Sequence, residues 1–409
     1  MMLPENADTH SLVNSNPFSQ APEEPTRMKH QSFWQRLSEK VESLPTWQIL
    51  LIAAVIYIPL AFLGFGSDSD SLSVARVGQH YIETLDYVPS RLPGFFVHEL
   101  FVFILNLLGG SLLSNLGSVA MALITLASCR KLSQSLHVPH ATLLTIIMMV
   151  QPFFWVSAAS TIDYLWALGF ALLGFNLLLK RKYTLASLSL AAAIGSRLST
   201  ILVIGIFLVF LFFTYHDMRR KLLLTTLATA VIAFLFYIPP IDFLEWDMSR
   251  WLVLSTGNPE LWTPLLRLGR FAYKNLMFFS LPVILWGICM VSGLLLKKEK
   301  PIHFRGDGVF WLSVSAILAV QVLFFRFPIE MEYLLPLLPF FLILTAKLFP
   351  NKFWQLWLLL ALVLLSNFIW INPARSITPN QTSEVIYGLW LEPGYLLQDI
   401  AARLAQIHP

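Results

Sequence analysis

The sequence is built from apolar runs about as long as a membrane is thick, set apart by short polar intervals. A helix crossing the hydrocarbon core needs about 20 mostly apolar residues. Runs of that kind lie at 47–65, 111–129, 139–157, 163–179, 184–196, 198–214, 222–240, 272–295, 308–326, 331–349 and 353–371. In lipid, backbone polar groups must be satisfied within the segment, which makes such runs helices. Composition agrees: 13% of residues are charged, against about 25% in a soluble domain. The expected fold class is all-α, a polytopic membrane protein of about eleven transmembrane helices. The runs 184–196 and 198–214 are short and meet at Gly195-Ser196-Arg197, so they read as two tilted helices or one broken helix.

Three regions follow. Residues 1–45 read as a cytoplasmic tail, polar and disordered to about residue 30, without the apolar core of a signal peptide. Phe33, Leu37, Val41 and Leu44 then fall at helical spacing, as in an interfacial helix. Residues 46–371 form the transmembrane module, and 372–409 a short extracytoplasmic tail. The two cysteines, Cys129 and Cys289, give neither a disulfide framework nor zinc spacing. Basic residues form no long run or stripe, so nucleic acid is not an expected partner. The bilayer is, and nothing here sets the oligomeric state.

The first long polar interval runs from Gly66 to Leu100 and holds Asp68, Asp70, Glu83, Asp86, Glu99, Arg76, Arg91, His80 and His98. Within it, 70–85 is expected to be helical, with Pro89 and Pro93 ending it. An apolar helix over 94–108 should stop at Gly109-Gly110. A solvated loop carries charge too. Ionisable groups gathered at the edge of an apolar bundle point instead to a site.

With the N-terminus inside, eighteen of the 28 basic residues fall on the cytoplasmic side, as the positive-inside rule requires. The outer ten differ in kind. Nine are arginine (76, 91, 197, 250, 267, 270, 326, 375 and 403), and Lys274 is the one lysine. Arginine's planar fork binds phosphate in two-pronged fashion. It also pairs with acids, and the outer segments supply these: Asp163 in Thr161-Ile162-Asp163-Tyr164, and Glu330 and Glu332 just after Arg326, their plausible partner. Segment 241–271 mixes acids with Arg250, Arg267, Arg270, Trp246, Trp251 and Trp262, as a lid at the lipid surface would.

The order of these pieces resembles the GT-C superfamily of membrane glycosyltransferases, the group that holds aminoarabinose transferases, protein O-mannosyltransferases and dolichol-dependent mannosyltransferases. SDSDSLSVA stands where that family has an acidic motif after the first helix. SRLPGFFVHEL is similar to its Pro-Gly entry to a juxtamembrane helix. Asp163-Tyr-Leu-Trp, AAAIGSRLS and EMEYLLPLLPF resemble later motifs, although the last lacks the family's basic residue. The resemblance covers roughly 47–345. It implies an inverting sugar transfer from a polyprenyl-phosphate donor to a lipid, glycan or protein acceptor at the outer face of a plasma or inner membrane. Asp70, then Asp68, would be the base. Arg91, Arg197, Arg250, Arg267, Arg270 and Arg326, with Asp163, Glu330 and Glu332, would line the donor phosphate and substrate. A divalent metal on Asp68, Asp70 and Asp163 is compatible, since some members use one and others do not.

Other classes remain open. A transporter or flippase for a lipid-linked substrate would show internal repeats and mid-membrane charges, whereas the charges here lie at helix ends. An oligosaccharide polymerase or ligase would carry its large outer loop late in the chain. A scaffold that kept the fold without activity is compatible with the altered EMEY segment.

The layout is testable by itself. Reporter fusions after residues 217 and 380 are expected to report opposite sides of the membrane, and the same side for both would overturn it.

Overall fold

The computed structural model describes residues 33–255, 263–296, 307–350, 352–376 and 385–407. The polar stretch to residue 30 and Trp262 lie outside them. The described chain is overwhelmingly helical. α1 (Phe33–Glu42), α2 (Thr46–Ala61) and α3 (Ser69–Thr84) come first, then α4 (Phe96–Ser135), α5 (Ala141–Met149) and α6 (Pro152–Ala158). α7 (Tyr164–Leu179), α8 (Tyr183–Ser196), α9 (Thr200–Thr214) and α10 (Arg219–Phe243) form the middle. α11 (Met248–Ser255), α12 (Pro264–Phe279), α13 (Leu281–Leu296), α14 (Gly308–Arg326), α15 (Leu338–Leu348) and α16 (Phe353–Leu365) follow.

α7 is the central helix, packed between α4 and α8 and buried on nearly all sides. That is what a helix without an apolar–polar asymmetry does. Phe175 stacks on Phe207 of α9 at 3.9 Å. Asn176 of α7 donates to the Ser128 carbonyl at 2.8 Å, a polar tie between helices inside the apolar packing. Tyr57 of α2 is fully buried and donates to the Met149 carbonyl at 2.7 Å.

Among the described residues, four helical stretches are long and apolar enough to cross a membrane: Phe96–Ser135, His216–Phe243, Gly308–Arg326 and Met331–Leu348. Three bent pairs raise that to seven. α7, α8, α9 and α16 are apolar but shorter. Helices thus occupy the predicted apolar runs, while the expected count of about eleven is not reached by length alone.

The breaks have local causes. α4 bends where Gly110 takes φ +62° and ψ −149°, a conformation open to glycine and closed to other residues. The expected helix over 94–108 and the apolar run that starts at 111 are separated there, as the Gly109-Gly110 pair leads one to expect. Pro152 begins α6 after Gln151, whose side chain accepts the Phe154 N–H at 2.7 Å, and the chain turns by 69°. The run 272–295, expected as one span, instead bends by 93° at Ser280, which has φ +64°.

The last run also differs from expectation. Its helix stops at Leu365, and a two-stranded antiparallel sheet follows, β1 (Ile369–Ser376) with β2 (Val385–Pro393). A final helix, α17 (Tyr395–Ile407), packs back on α6. The region after residue 365 therefore carries a two-stranded sheet and a helix, within a chain that is otherwise helical.

One glycine fixes the loop that follows α3. Gly94 has φ +97°, and a Cβ there would stand 2.7 Å from Cβ of Pro240, a rigid ring on α10. Gly94→Ala is expected to destabilise by about 1–3 kcal/mol through backbone strain alone. Thermal unfolding in detergent measures it, and an unchanged Tm would show that the loop does not dock there.

Candidate functional site

At the end of the bundle where α2 ends and α7 begins, charged side chains from five stretches converge. The acidic motif is the start of α3. Asp68 is its N-cap and accepts the Asp70 N–H at 2.9 Å. Asp70 sits in the first turn, where carboxylates favour the helix dipole. Ser-Asp-Ser-Asp is therefore a helix start that turns two carboxylates toward one place.

Arg91 arrives from the loop after α3. That loop is held by the buried Glu99, which accepts from the Ser90 N–H at 2.9 Å, from the Ser90 hydroxyl at 2.5 Å and from the Tyr87 hydroxyl. Arg91 pairs with Asp70 through one nitrogen and with Asp163 through the other. Asp163 is fully buried at the N-cap of α7. Its second oxygen accepts from Arg197 Nη1 at 2.6 Å. Arg197 is the extended residue that ends α8. Its guanidinium lies 4.3 Å from the Tyr164 ring and 4.5 Å from the Tyr333 ring, while that of Arg91 lies 4.5 Å from Phe95. Aromatic faces stabilise a desolvated cation electrostatically.

Glu330 completes the group and accepts from the Tyr164 hydroxyl. Carboxylate oxygens of Asp68, Asp70 and Glu330 all lie within 4.8 Å of one another. Such a set can hold a hard cation through oxygen alone. Asp163, expected in that set, is taken up on both oxygens by arginine, and Glu330 stands in its place. Burial raises the Asp68 carboxyl above its ordinary value, and Arg91 only partly offsets this. Burial acts to lower the Arg91 pKa, but Asp163 and its neighbours outweigh it and the net shift is upward.

Thus Asp68, Asp70, Arg91, Asp163, Arg197 and Glu330 come together as the sequence suggested. Glu332 lies alongside, buried, and accepts from the Tyr395 hydroxyl at 2.6 Å. Arg326 does not join: it is exposed and forms none of the ion pairs among the described residues. Tyrosine hydroxyls serve Glu330 and Glu332 instead. Arg250 on α11 and Arg267 and Arg270 on α12 take no part in the ion pairs of Asp70 or Asp163. Trp251 anchors the expected lid by donating to the Pro93 carbonyl at 3.1 Å. Phe95, Tyr164 and Tyr333 were missed as site residues, because aromatic residues in so apolar a chain look like packing. Their one signal was adjacency, each lying within four residues of a charge in an outer segment.

No family model, curated protein or solved structure matches the chain. Fold and site define a helical protein of membrane character, with a buried ion network at one end of an apolar bundle.

Removing one partner of a buried charge network leaves the other uncompensated, at about 3–5 kcal/mol. Asp163→Asn is expected to lower stability by that amount. The double variant with Arg197→Gln is expected to lose less than the sum of the two single changes, because the sites share one interaction. Unfolding measured on all four proteins gives the coupling, and strict additivity would contradict the network.

Proposed function

We propose that this chain is a GT-C-type glycosyltransferase of the plasma or inner membrane, moving a sugar from a polyprenyl-phosphate donor to an acceptor hydroxyl at the extracytoplasmic face with inversion. The observation that carries the reading is the convergence of the acidic motif with Arg91, Asp163 and Arg197 at one end of an apolar bundle. Sugar transfer to a hydroxyl needs a proton acceptor beside the anomeric carbon and positive charge beside the leaving phosphate. Acids and arginines meet here next to the apolar surface a lipid donor requires. The four shorter apolar helices would complete about eleven crossings if each spans with local thinning of the bilayer.

A cavity of about 360 Å³ supports the lipid part. It lies between α9 and α10 and is lined by Leu198, Ile201, Leu208, Ala230, Phe234 and Trp251 among others. Leu198 follows Arg197 directly, so an apolar chain in the cavity would bring its phosphate end toward the ion network.

The geometry distinguishes the two aspartates favoured from sequence. Asp70 is already engaged by the Arg91 guanidinium. Asp68 is half-buried and free of a direct arginine pair among the described residues, and desolvation raises its carboxyl, closer to the matching of pKa and pH that makes a good base. We therefore give Asp68 the proton-accepting role, with Asp70 orienting Arg91. Asp68, Asp70 and Glu330 are also the residues that would hold a divalent cation, and the charge it supplies would add to that of Arg91 and Arg197 at the leaving phosphate.

Asp68→Asn keeps size and hydrogen bonding and is expected to reduce transfer by about 10²–10⁴, with expression unchanged. Wild-type kcat/KM is expected to rise with pH through a limb above the ordinary aspartate value of about 4, since the ionised form accepts the proton. Full transfer by both Asp68→Asn and Asp70→Asn would remove the acidic motif from the chemistry.

A further inference from the structure

The C-terminal helix reaches the site without carrying any of its charges. α17 closes a small apolar cluster in which Leu396 packs with Leu60, Val156 and Ala159. Leu60 belongs to the end of α2, and Val156 and Ala159 to α6 and its cap. Those two chain segments lead, within a few residues, to Asp68 and to Asp163. They are already paired through the Thr161 N–H, which donates to the Phe65 carbonyl at 2.8 Å.

Into this junction α17 inserts a fully buried arginine, an expensive residue to desolvate unless its donors are satisfied. Arg403 Nε lies 2.8 Å from Asp399, one turn back on the same helix, as an ion pair without an aligned hydrogen bond. Its Nη1 donates to the Ala159 carbonyl at 2.8 Å and the Leu60 carbonyl at 3.4 Å. Its Nη2 donates to the Ser160 hydroxyl. Asp399 in turn accepts from the hydroxyl of Ser67, the residue before Asp68, at 2.5 Å. At the start of the helix the Tyr395 ring lies 4.2 Å from that of Phe153, and its hydroxyl holds Glu332, two residues beyond Glu330.

We infer that α17 is a clamp, in which Arg403, Asp399 and Tyr395 set the relative positions of the three chain segments that carry Asp68, Asp163 and Glu330. The inference rests on the reading of that cluster as the reacting one. The three are positioning residues: none lines the cavity between α9 and α10, and each acts through a neighbour of a site carboxylate. The arrangement suits that task. A planar fork bound on several sides fixes direction as well as distance, and a reacting group misplaced by about 1 Å loses on the order of 100-fold in rate.

The test uses the full chain in lipid nanodiscs. Arg403→Gln is expected to raise amide exchange in both 60–67 and 159–163 while leaving α10 unchanged. It is also expected to lower kcat for transfer by about 10–100-fold with the donor KM nearly constant. Tyr395→Phe keeps the ring on Phe153 and removes only the hydroxyl, so a packing role alone would leave kcat untouched. The clamp predicts that kcat falls there too, again at constant KM. Unchanged exchange in Arg403→Gln would overturn the inference, as would unchanged kcat in both variants. If Arg403→Gln does not fold, Ser67→Ala removes only the Ser67 hydroxyl's hydrogen bond to Asp399 and reports exchange at 66–71 by the same criterion. A wild-type chain with no transfer activity would refute the glycosyltransferase reading, and exchange alone would then decide whether the clamp holds the loops.

Discussion

A carboxylate without solvent contact, held between two arginines, is the constraint around which the rest is arranged. Asp163 cannot stay ionised at full burial unless both its oxygens are matched, and Arg197 and Arg91 match them. Each partner needs its own support. Arg197 gains it from the faces of Tyr164 and Tyr333, and Arg91 from Phe95 and from a loop pinned by Glu99. Four distant pieces of chain are thereby fixed at one point: the start of α3, the loop after it, the start of α7 and the end of α8. A bundle of apolar helices alone has no such reason to choose one register, since apolar surfaces slide past each other at little energetic difference.

The helices were legible in the sequence because hydropathy in long runs is a strong, local signal. The breaks were legible where glycine marked them, at Gly109 and Gly110. They were hidden at Ser280, whose positive φ carries no sequence mark, so 272–295 read as one span. The β-hairpin was hidden for a different reason. Val385-Ile386-Tyr387 and Ile369-Trp370-Ile371 are β-branched and aromatic, good strand formers. Beside a membrane span, however, such residues look like the end of a helix or a short tail.

At the site, residue kind was legible and pairing was not. Acids and arginines in outer segments stand out against Leu, Phe and Ile, and six of them meet. Which acid meets which arginine depends on tertiary placement. Arg326 lies four residues from Glu330 and six from Glu332, and the nearest cation in sequence looked like the natural partner. Both carboxylates instead accept from tyrosine hydroxyls, Tyr164 and Tyr395. A hydroxyl satisfies a carboxylate lone pair without bringing a second desolvated charge. In a chain with so many aromatic residues, tyrosines that donate this way are indistinguishable in sequence from those that merely pack.

The charge balance at the site then limits what it can bind. Four carboxylates, Asp68, Asp70, Asp163 and Glu330, face two arginines, Arg91 and Arg197. Asp163 takes one nitrogen from each arginine fork and Asp70 takes the other nitrogen of Arg91, so among the described residues Asp68 and Glu330 have no direct arginine pair. Like carboxylates this close cannot all be ionised without compensation. The site answers locally, with a helix N-terminus at Asp68 and a tyrosine hydroxyl at Glu330. Neither supplies a full positive charge. The triad's geometry is therefore one that a cation held through oxygen would fit. Under the glycosyltransferase reading proposed above, a proton acceptor and a cation-holding triad would be two consequences of one electrostatic imbalance.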